Sequence, residues 1–437
     1  MDTTSVTSDV PTLHVRSALL PSDHPAASLP LLEIAPEPGH VLAWLGWRQS
    51  MIGWGAAHRV TVEGRHAIRE AARIWDDLRS RAQVSGHSAG RSAEAPPSST
   101  HSPLSVPIAF SSFGFAWATP GVLVVPEVLI VDDEGGRHVV TASTTEDAPD
   151  PIDAINQAMA ARSPITEAQG LWTAPGRMSQ TQWRESVRRL ISRLRSGAAS
   201  KVVMARDMVV SAASPFDERF LLQRLHELYP TTWAYAVDGL IGATPEMLAS
   251  TSGGRLTSRV LAGTAPSVGA ETDGDALLAN MKERTEHHLA VESVARSLAP
   301  LAETVEVPET PSLLRLPNVT HLATDVTAVL RDANVLDVAA ALHPTAAVCG
   351  TPTPLAFDLL LAFEQTRRGR YSGPVGWIDG NGEGEIAVAL RCAQVEGDGS
   401  SLRVFAGGGI MPDSVPEAEL AETRAKMQPV LEALGLK

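Results

Sequence analysis

From Pro107 onward the chain sets strand-like runs close together, in groups separated by long helical stretches. PIAFSSFGFAW, VLVVPEVLIVDD, KVVMARDMVVS, WAYAVDGLIGATPEMLAST and LTSRVLAGTA are dense in β-branched and aromatic residues, which suit a pleated sheet surface. YSGPVGWID, EGEIAVALRCAQV and SLRVFAGGGI read as three successive strands near the C-terminus. Grouped strands with helices between the groups predict an α+β fold, with large antiparallel sheets packed as a sandwich and flanked by helices.

Helical periodicity marks four segments. GRHAIREAARIWDDLRSRA places Ile68, Ala72 and Trp75 on one face, and TQWRESVRRLISRLRSG is amphipathic and closed by Gly197. DALLANMKERTEHHLAVESVARSLAPL reads as one long helix with Asp275 near its start and Leu278, Met281 and Leu289 as the buried stripe. A terminal helix begins at about Glu417.

Charge and cysteine usage narrow the function classes. The 437 residues carry 36 Lys and Arg against 50 Asp and Glu, a net charge of −14. A nucleic-acid or anionic-membrane partner needs a basic footprint, so neither is expected. The two cysteines, Cys349 and Cys392, are too few for a metal cage or a disulfide framework and fit a reducing compartment. The longest apolar run, GVLVVPEVLIV, is interrupted by Pro126 and Glu127 and reads as a buried strand, not a membrane span. MDTTSVTSD lacks an apolar signal core, so a soluble cytoplasmic protein is expected. The run SGHSAGRSAEAPPSSTHSP over 85–103 has almost nothing to bury and reads as a mobile loop.

Two acidic pairs repeat one spacing. Glu283 and Glu286 lie in KERTEHHL, and Glu419 and Glu422 lie in AELAETRAK, with Lys426 four residues beyond the last. Residues three apart on a helix point to one side. Four carboxylates brought together would repel unless a cation neutralised them, and Mg²⁺ takes oxygen ligands of this kind. The same spacing also fits two solvated helix faces with surface ion pairs to Lys282, Arg284 and Arg424. His287, His288 and Glu292 have a helical spacing that suggests a transition metal, but a third ligand is not evident, and zinc is not expected.

The segments SKVVMARD, GATPEMLAS, VLAGT, KERTEHHLAVESV, HLATDV, ALHPTAAVCGTPTP, YSGPVGWID, ALRCA and FAGGGIMPDSVPEAELAET follow one another from about 200 to 427. In that order the chain resembles the chorismate-utilising enzymes, most closely their isochorismate synthase branch. The resemblance is dense over 175–437, the chorismate-binding core it implies. It is sparse over 1–165, the N-terminal region of the fold, where only FSSFGFAW and VLVVPEVLIV resemble family segments.

The resemblance implies a Mg²⁺-dependent site. Glu286 and Glu422 would be direct ligands, with Glu283 and Glu419 acting through water. Lys201 aligns with the family lysine that activates water for addition at C2, which needs a neutral amine favoured by burial or a positive neighbour. Glu246 matches the general acid that protonates the departing C4 hydroxyl, so partial desolvation should raise its pKa. Arg391 and Lys426 match positions that meet substrate carboxylates, and the glycine run brings the Gly407 and Gly409 amides close to a ligand. Gly263, Thr264, His321 and Tyr371 fall in motifs that line the pocket. Without the resemblance, Lys201 reads as a solvated strand entry, Glu246 as a turn residue, Arg391 as a cross-strand partner and His321 as a structural histidine.

Within the family, Ala262 stands where aminodeoxychorismate synthases of the common type carry a lysine nucleophile. Lys201 stands where anthranilate synthases usually hold an amide, which points to water as nucleophile. Salicylate synthase, which goes on to eliminate pyruvate, and a non-catalytic module that binds Mg²⁺ and an aromatic carboxylate remain as alternatives. Ala265 and Pro266 depart from relatives that often have Arg after AGT, and Gly408 replaces a common Ala. Chorismate as the small-molecule partner and a monomeric state complete what the resemblance implies.

Overall fold

In Leu42–Leu45 every residue is buried, yet the side chains divide by parity. Leu42 and Trp44 join one apolar cluster, and Ala43 and Leu45 join another. Tyr235 and Val237 divide from Ala234 and Ala236 in the same way on the neighbouring strand. Period-two alternation between two covered faces explains why these strands read as continuous apolar runs. One face packs on a second sheet; the other is covered by helices.

The computed structural model describes residues 10–47, 49–86, 106–145, 147–266, 272–315 and 319–436. Among these residues the strands form a thirteen-stranded and a ten-stranded sheet. Their pairings are antiparallel except where His14–Leu19 runs parallel to Gln83–Gly86. The larger sheet takes six strands from residues before 165 and seven from residues after 170, and the smaller takes three and seven. The two sets join at Leu42–Leu45 against Trp233–Val237 in the larger sheet, and at Ala109–Ser112 against Pro374–Ile378 in the smaller. Trp44 in one sheet donates from Nε1 to Glu385 Oε2 in the other at 2.7 Å. The α+β sandwich expected from the sequence is the fold observed.

Several local expectations are corrected. GVLVVPEVLIV is not one strand: Gly121–Val125 belongs to the smaller sheet and Val128–Asp133 to the larger, with Pro126 and Glu127 at the crossing. The three strands expected at the C-terminus are four: Pro374–Ile378, Gly384–Val388, Cys392–Glu396 and Ser401–Ile410. The long helix is two, Thr272–Ala279 and Met281–Leu298. Asn280 breaks it because its Oδ1 accepts the Glu283 amide at 3.3 Å, an N-cap followed by Glu three residues later. Residues 87–105, most of the expected mobile loop, lie outside the described residues, while Gln83–Gly86 before them is a strand.

Arg219 fastens the helix Glu218–Leu228 to two distant segments. Its guanidinium is fully buried and pairs with Asp217 at 2.8 Å. It also donates to the carbonyls of Ala35 at 2.9 Å and Ser163 at 3.2 Å. Removing one partner of a buried pair strands the other charge. Arg219→Ala is therefore expected to lose about 3–5 kcal/mol of stability, read as a lower urea midpoint; a midpoint within error of wild type would contradict this.

Candidate active site

Two strands cross between the sheets side by side. Leu240–Thr244 lies in the larger sheet and Met247–Ser252 in the smaller; Gly384–Val388 and Cys392–Glu396 make the reverse crossing next to it. The links keep their backbone bonds: Val388 N donates to Glu246 O at 3.0 Å and Ala243 N to Arg391 O at 3.2 Å. Each link carries one ionisable side chain, Glu246 and Arg391, both buried. Arg391 has φ +49°, a conformation that non-glycine residues seldom adopt outside functional sites. It is not the cross-strand partner that a bare reading of its strand suggests.

Both side chains line a cavity of roughly 200 Å³. Its wall also contains Lys201, Gly263, Glu283, Glu286, His321, Tyr371, Gly407, Gly409, Glu419, Glu422 and Lys426. The sequence-predicted residues are thus brought together, apart from Thr264, whose backbone pairs with His321 and whose side chain lies outside the described residues. Ala265 and Pro266 likewise pair through their backbones, with Thr320 and Val319.

The acidic helix faces the cavity differently from expectation. Met281 is 71% exposed and Leu289 46%, so neither is in the buried stripe. That stripe is His287, Ala290, Val291, Val294 and Leu298, with Glu283 and Glu286 half-buried on the inward side. His287 anchors it, with Nδ1 3.1 Å from Ala262 O and Nε2 2.7 Å from Thr324 Oγ1. A carbonyl accepts only, so Nδ1 carries the proton toward Ala262 and Nε2 accepts from the threonine. His288 and Glu292 are exposed, and Glu292 pairs with Arg296 at 3.0 Å. Close approach of Glu283 depends on Gly263, the extra residue of a bulge at φ +77°. A Cβ there would stand 3.3 Å from Glu283 Oε2.

The glycine run forms the opposite wall. Ser401–Ile410 pairs with Lys201–Ser211, Gly409 facing Val203 and Gly407 facing Ala205. Val203 N is spent on Cys349 O, Ala205 N on Glu364, Val203 O on Arg368 and Ala205 O on Trp183. The glycine N–H and C=O groups therefore turn to the other edge of their strand, where pairing with Cys392–Glu396 has stopped at Val404. Lys426 Nζ meets Gly407 O there at 3.2 Å. A Cβ on Gly409 would lie 2.6 Å from Lys201 Cε, so the lysine packs over bare backbone.

The charges are arranged in pairs. Lys201 pairs with Glu286, their side chains 13% and 18% exposed, and Lys426 pairs with Glu422 at 2.5 Å. Lys201 is largely buried, as neutral-amine chemistry requires, but its direct partner is a carboxylate where a positive neighbour was one expectation. Burial opposes ionisation of Glu422, yet Lys426, Lys201 and Arg391 outweigh it and hold the carboxylate below its usual range. Burial pushes Glu246 up to about 7 against the pull of Arg391, Lys201 and Lys426. His321 is kept neutral by burial and by Arg391 and Lys426. Tyr371 stacks on Phe405 with centroids 5.2 Å apart, and burial raises its hydroxyl. Sequence reading missed Ser414, whose Oγ donates to Glu419 Oε1 at 2.6 Å, and Arg368, paired with Glu364 at 2.7 Å. The latter pair has i, i+4 spacing, a signal available but unremarkable.

Among the described residues no group of three or more His, Cys, Asp or Glu converges tightly enough to hold a metal alone. Mg²⁺ asks for less, since one or two carboxylates with waters and substrate oxygens complete its shell. The cavity places four glutamates against Lys201, Arg391 and Lys426. The donors are hard oxygens already drawn toward positive charge, so the residues present fit that ion.

The sequence pattern of the family described as chorismate binding enzyme matches residues 45–435. The chain belongs to this family. Isochorismate synthase DhbC of Bacillus subtilis is 38% identical to it over 271 residues, 58% of this chain and 68% of the relative. The menaquinone-specific isochorismate synthase MenF of Escherichia coli superposes with a TM-score of 0.76 at 22% identity, covering 97% of this chain and 95% of that one. Anthranilate synthase component I of Streptococcus pneumoniae superposes at 0.70 and 20% identity, covering 88% and 92%. These proteins share one fold under different named activities, so side chains decide the chemistry. No helix among the described residues is long and apolar enough to cross a membrane.

Glu246 yields a stability test. Its carboxyl titrates at 4.5 when unfolded and about 7 when folded. The folded state therefore binds the proton more tightly, and stability falls as pH rises from 4.5 to 7, by about 3 kcal/mol at ~1.4 per unit. Glu246→Gln removes this loss: its advantage over wild type in urea unfolding should grow from pH 5 to pH 8. A difference independent of pH would contradict the assignment.

Proposed function

We propose that the chain is an isochorismate synthase, adding water at C2 of chorismate and expelling the C4 hydroxyl. The observation that carries this reading is that Lys201 and a glutamic acid titrating near pH 7 line one cavity between two lysine-paired glutamates. Ala262 at the same wall offers no lysine nucleophile, and Lys201, where an amide would favour ammonia, supports water as the attacking group.

In this reading Arg391 and Lys426 meet the substrate carboxylates, and the amides at the free edge of Gly407 and Gly409 approach them from the strand. Glu246, protonated near neutral pH, gives its proton to the leaving C4 oxygen. Lys201 takes a proton from water as the C2–O bond forms. The water O–H, the Glu246 O–H and the C4–O bond break as a Lys201 N–H, the O–H of the departing water and the C2–O bond form and the ring double bonds shift. Returning the proton from Lys201 to Glu246 through solvent closes the cycle, and the net change is an isomerisation. Mg²⁺, if bound, would supply positive charge to offset the facing glutamates, to hold the ring carboxylate and to draw electron density from the diene. Glu286 and Glu422 would hold it directly, with Glu283 and Glu419 through water; Ser414 fixes the orientation of Glu419.

Incubation with chorismate and Mg²⁺, followed by chromatography, checks the reading. Isochorismate without pyruvate is expected. Salicylate with pyruvate would replace this reading by salicylate synthase, and unchanged chorismate by a binding module. Lys201→Ala and Glu246→Gln are each expected to lower turnover at least ~100-fold, the scale of general acid–base catalysis, while Mg²⁺-dependent chorismate binding persists by calorimetry. Near wild-type turnover in either variant would remove that residue from the mechanism.

A further inference from the structure

A second cavity, roughly 490 Å³, lies against the start of the helix Ala67–Ser80 and takes no part in the chemistry above. Its walls are aromatic. Trp117 stacks on Phe357 with centroids 4.8 Å apart, and Phe115 stacks on the same ring at 5.9 Å. Trp117 is 44% exposed, an unusual cost for a large aromatic side chain that a ligand would relieve.

The mouth is cationic. Arg65 holds its guanidinium 4.8 Å from the Trp117 ring centroid, and His66 and Arg69 line the same opening, with Asp358 the one acidic side chain on the wall. Arg65, His66 and Arg69 are all exposed. Apolar rings below and a cationic rim above call for a ligand with one aromatic face and one acidic end. A neutral hydrocarbon would leave the rim unused, and a sugar phosphate would leave the aromatic floor wet.

We propose that this cavity binds a small planar aromatic carboxylate, its ring against Phe115 and Trp117 and its acid group at Arg65 and Arg69. The two cavities share a wall. The Arg368 guanidinium lies 3.9 Å from the Phe115 ring centroid. It also donates to Val348 O at 2.8 Å, Ser372 Oγ at 3.1 Å and Val203 O at 2.5 Å, and all four residues line the catalytic cavity. Phe115 thus stands between an occupant of the second cavity and Arg368 in the wall of the first.

Calorimetry on the full chain with benzoate as the probe tests this, whether or not chorismate proves to be the substrate. Saturable binding is expected that survives excess chorismate and Arg391→Ala, and weakens at least tenfold in both Trp117→Ala and Arg65→Gln. Cyclohexanecarboxylate, which lacks the ring face, and benzyl alcohol, which lacks the charge, should each bind at least tenfold more weakly. No saturable binding, displacement by chorismate, or indifference to both rim variants would overturn the proposal. So would binding that appears only after residues 87–105 are replaced by a short Gly/Ser linker, since the chain itself would then be the occupant.

Discussion

The paired crossing of two strands between the sheets is the constraint on which the site depends. A ladder must end where a strand changes sheet, and the residues in the gap have no strand partner to face. Here the gap holds Pro245–Glu246 on one side and Leu390–Arg391 on the other, stitched by the Val388–Glu246 and Ala243–Arg391 backbone bonds. With the backbone groups satisfied, a carboxyl and a guanidinium can be buried together at the seam of the sandwich. Burial then does chemical work: it raises Glu246 to about 7, so that the acid form is populated near neutral pH, while Arg391 and the two lysines limit how far it rises.

Other elements are arranged around that seam. The glycines at 407 and 409 turn their peptide groups to an edge where, among the described residues, strand pairing has ended and only Lys426 reaches Gly407 O, because Val203 and Ala205 are occupied elsewhere. The bulge at Gly263 admits the Glu283 side of one helix, and bare Gly408 admits Glu419 of the other, whose Oε2 would stand 3.2 Å from a Cβ there. An alanine at 408 would meet that carboxylate directly. Two acidic helices and two lysines thus converge on one cavity, an excess of carboxylate that a further cation would offset.

Much of this was legible in the sequence, and the exceptions have physical causes. The strand runs were readable because both faces of the larger sheet are covered, and the helix Gln180–Arg195 announces itself with the Ser179–Gln182 capping box and Gly197 beyond its end. The crossing at Pro126–Glu127 was hidden because two buried strands in succession look like one apolar run. The stripe on the acidic helix was misassigned because apolar periodicity assumes that the inward face is apolar. Here that face carries Glu283, Glu286 and His287, while Met281 and Leu289 point outward. Local rules failed where the helix meets the site, as expected where function overrides packing. The glutamate spacing and the glycine run were visible in the chain, but only the fold places them at one cavity.

The claim that the two acidic helices share a single divalent cation is open to direct measurement. Anomalous diffraction from crystals of the full chain with Mn²⁺ and chorismate would locate the ion. The account predicts one peak bonded to both Glu286 and Glu422, with Lys201 and Lys426 withdrawn from those carboxylates. A peak touching only one helix, or none in the cavity, would contradict it.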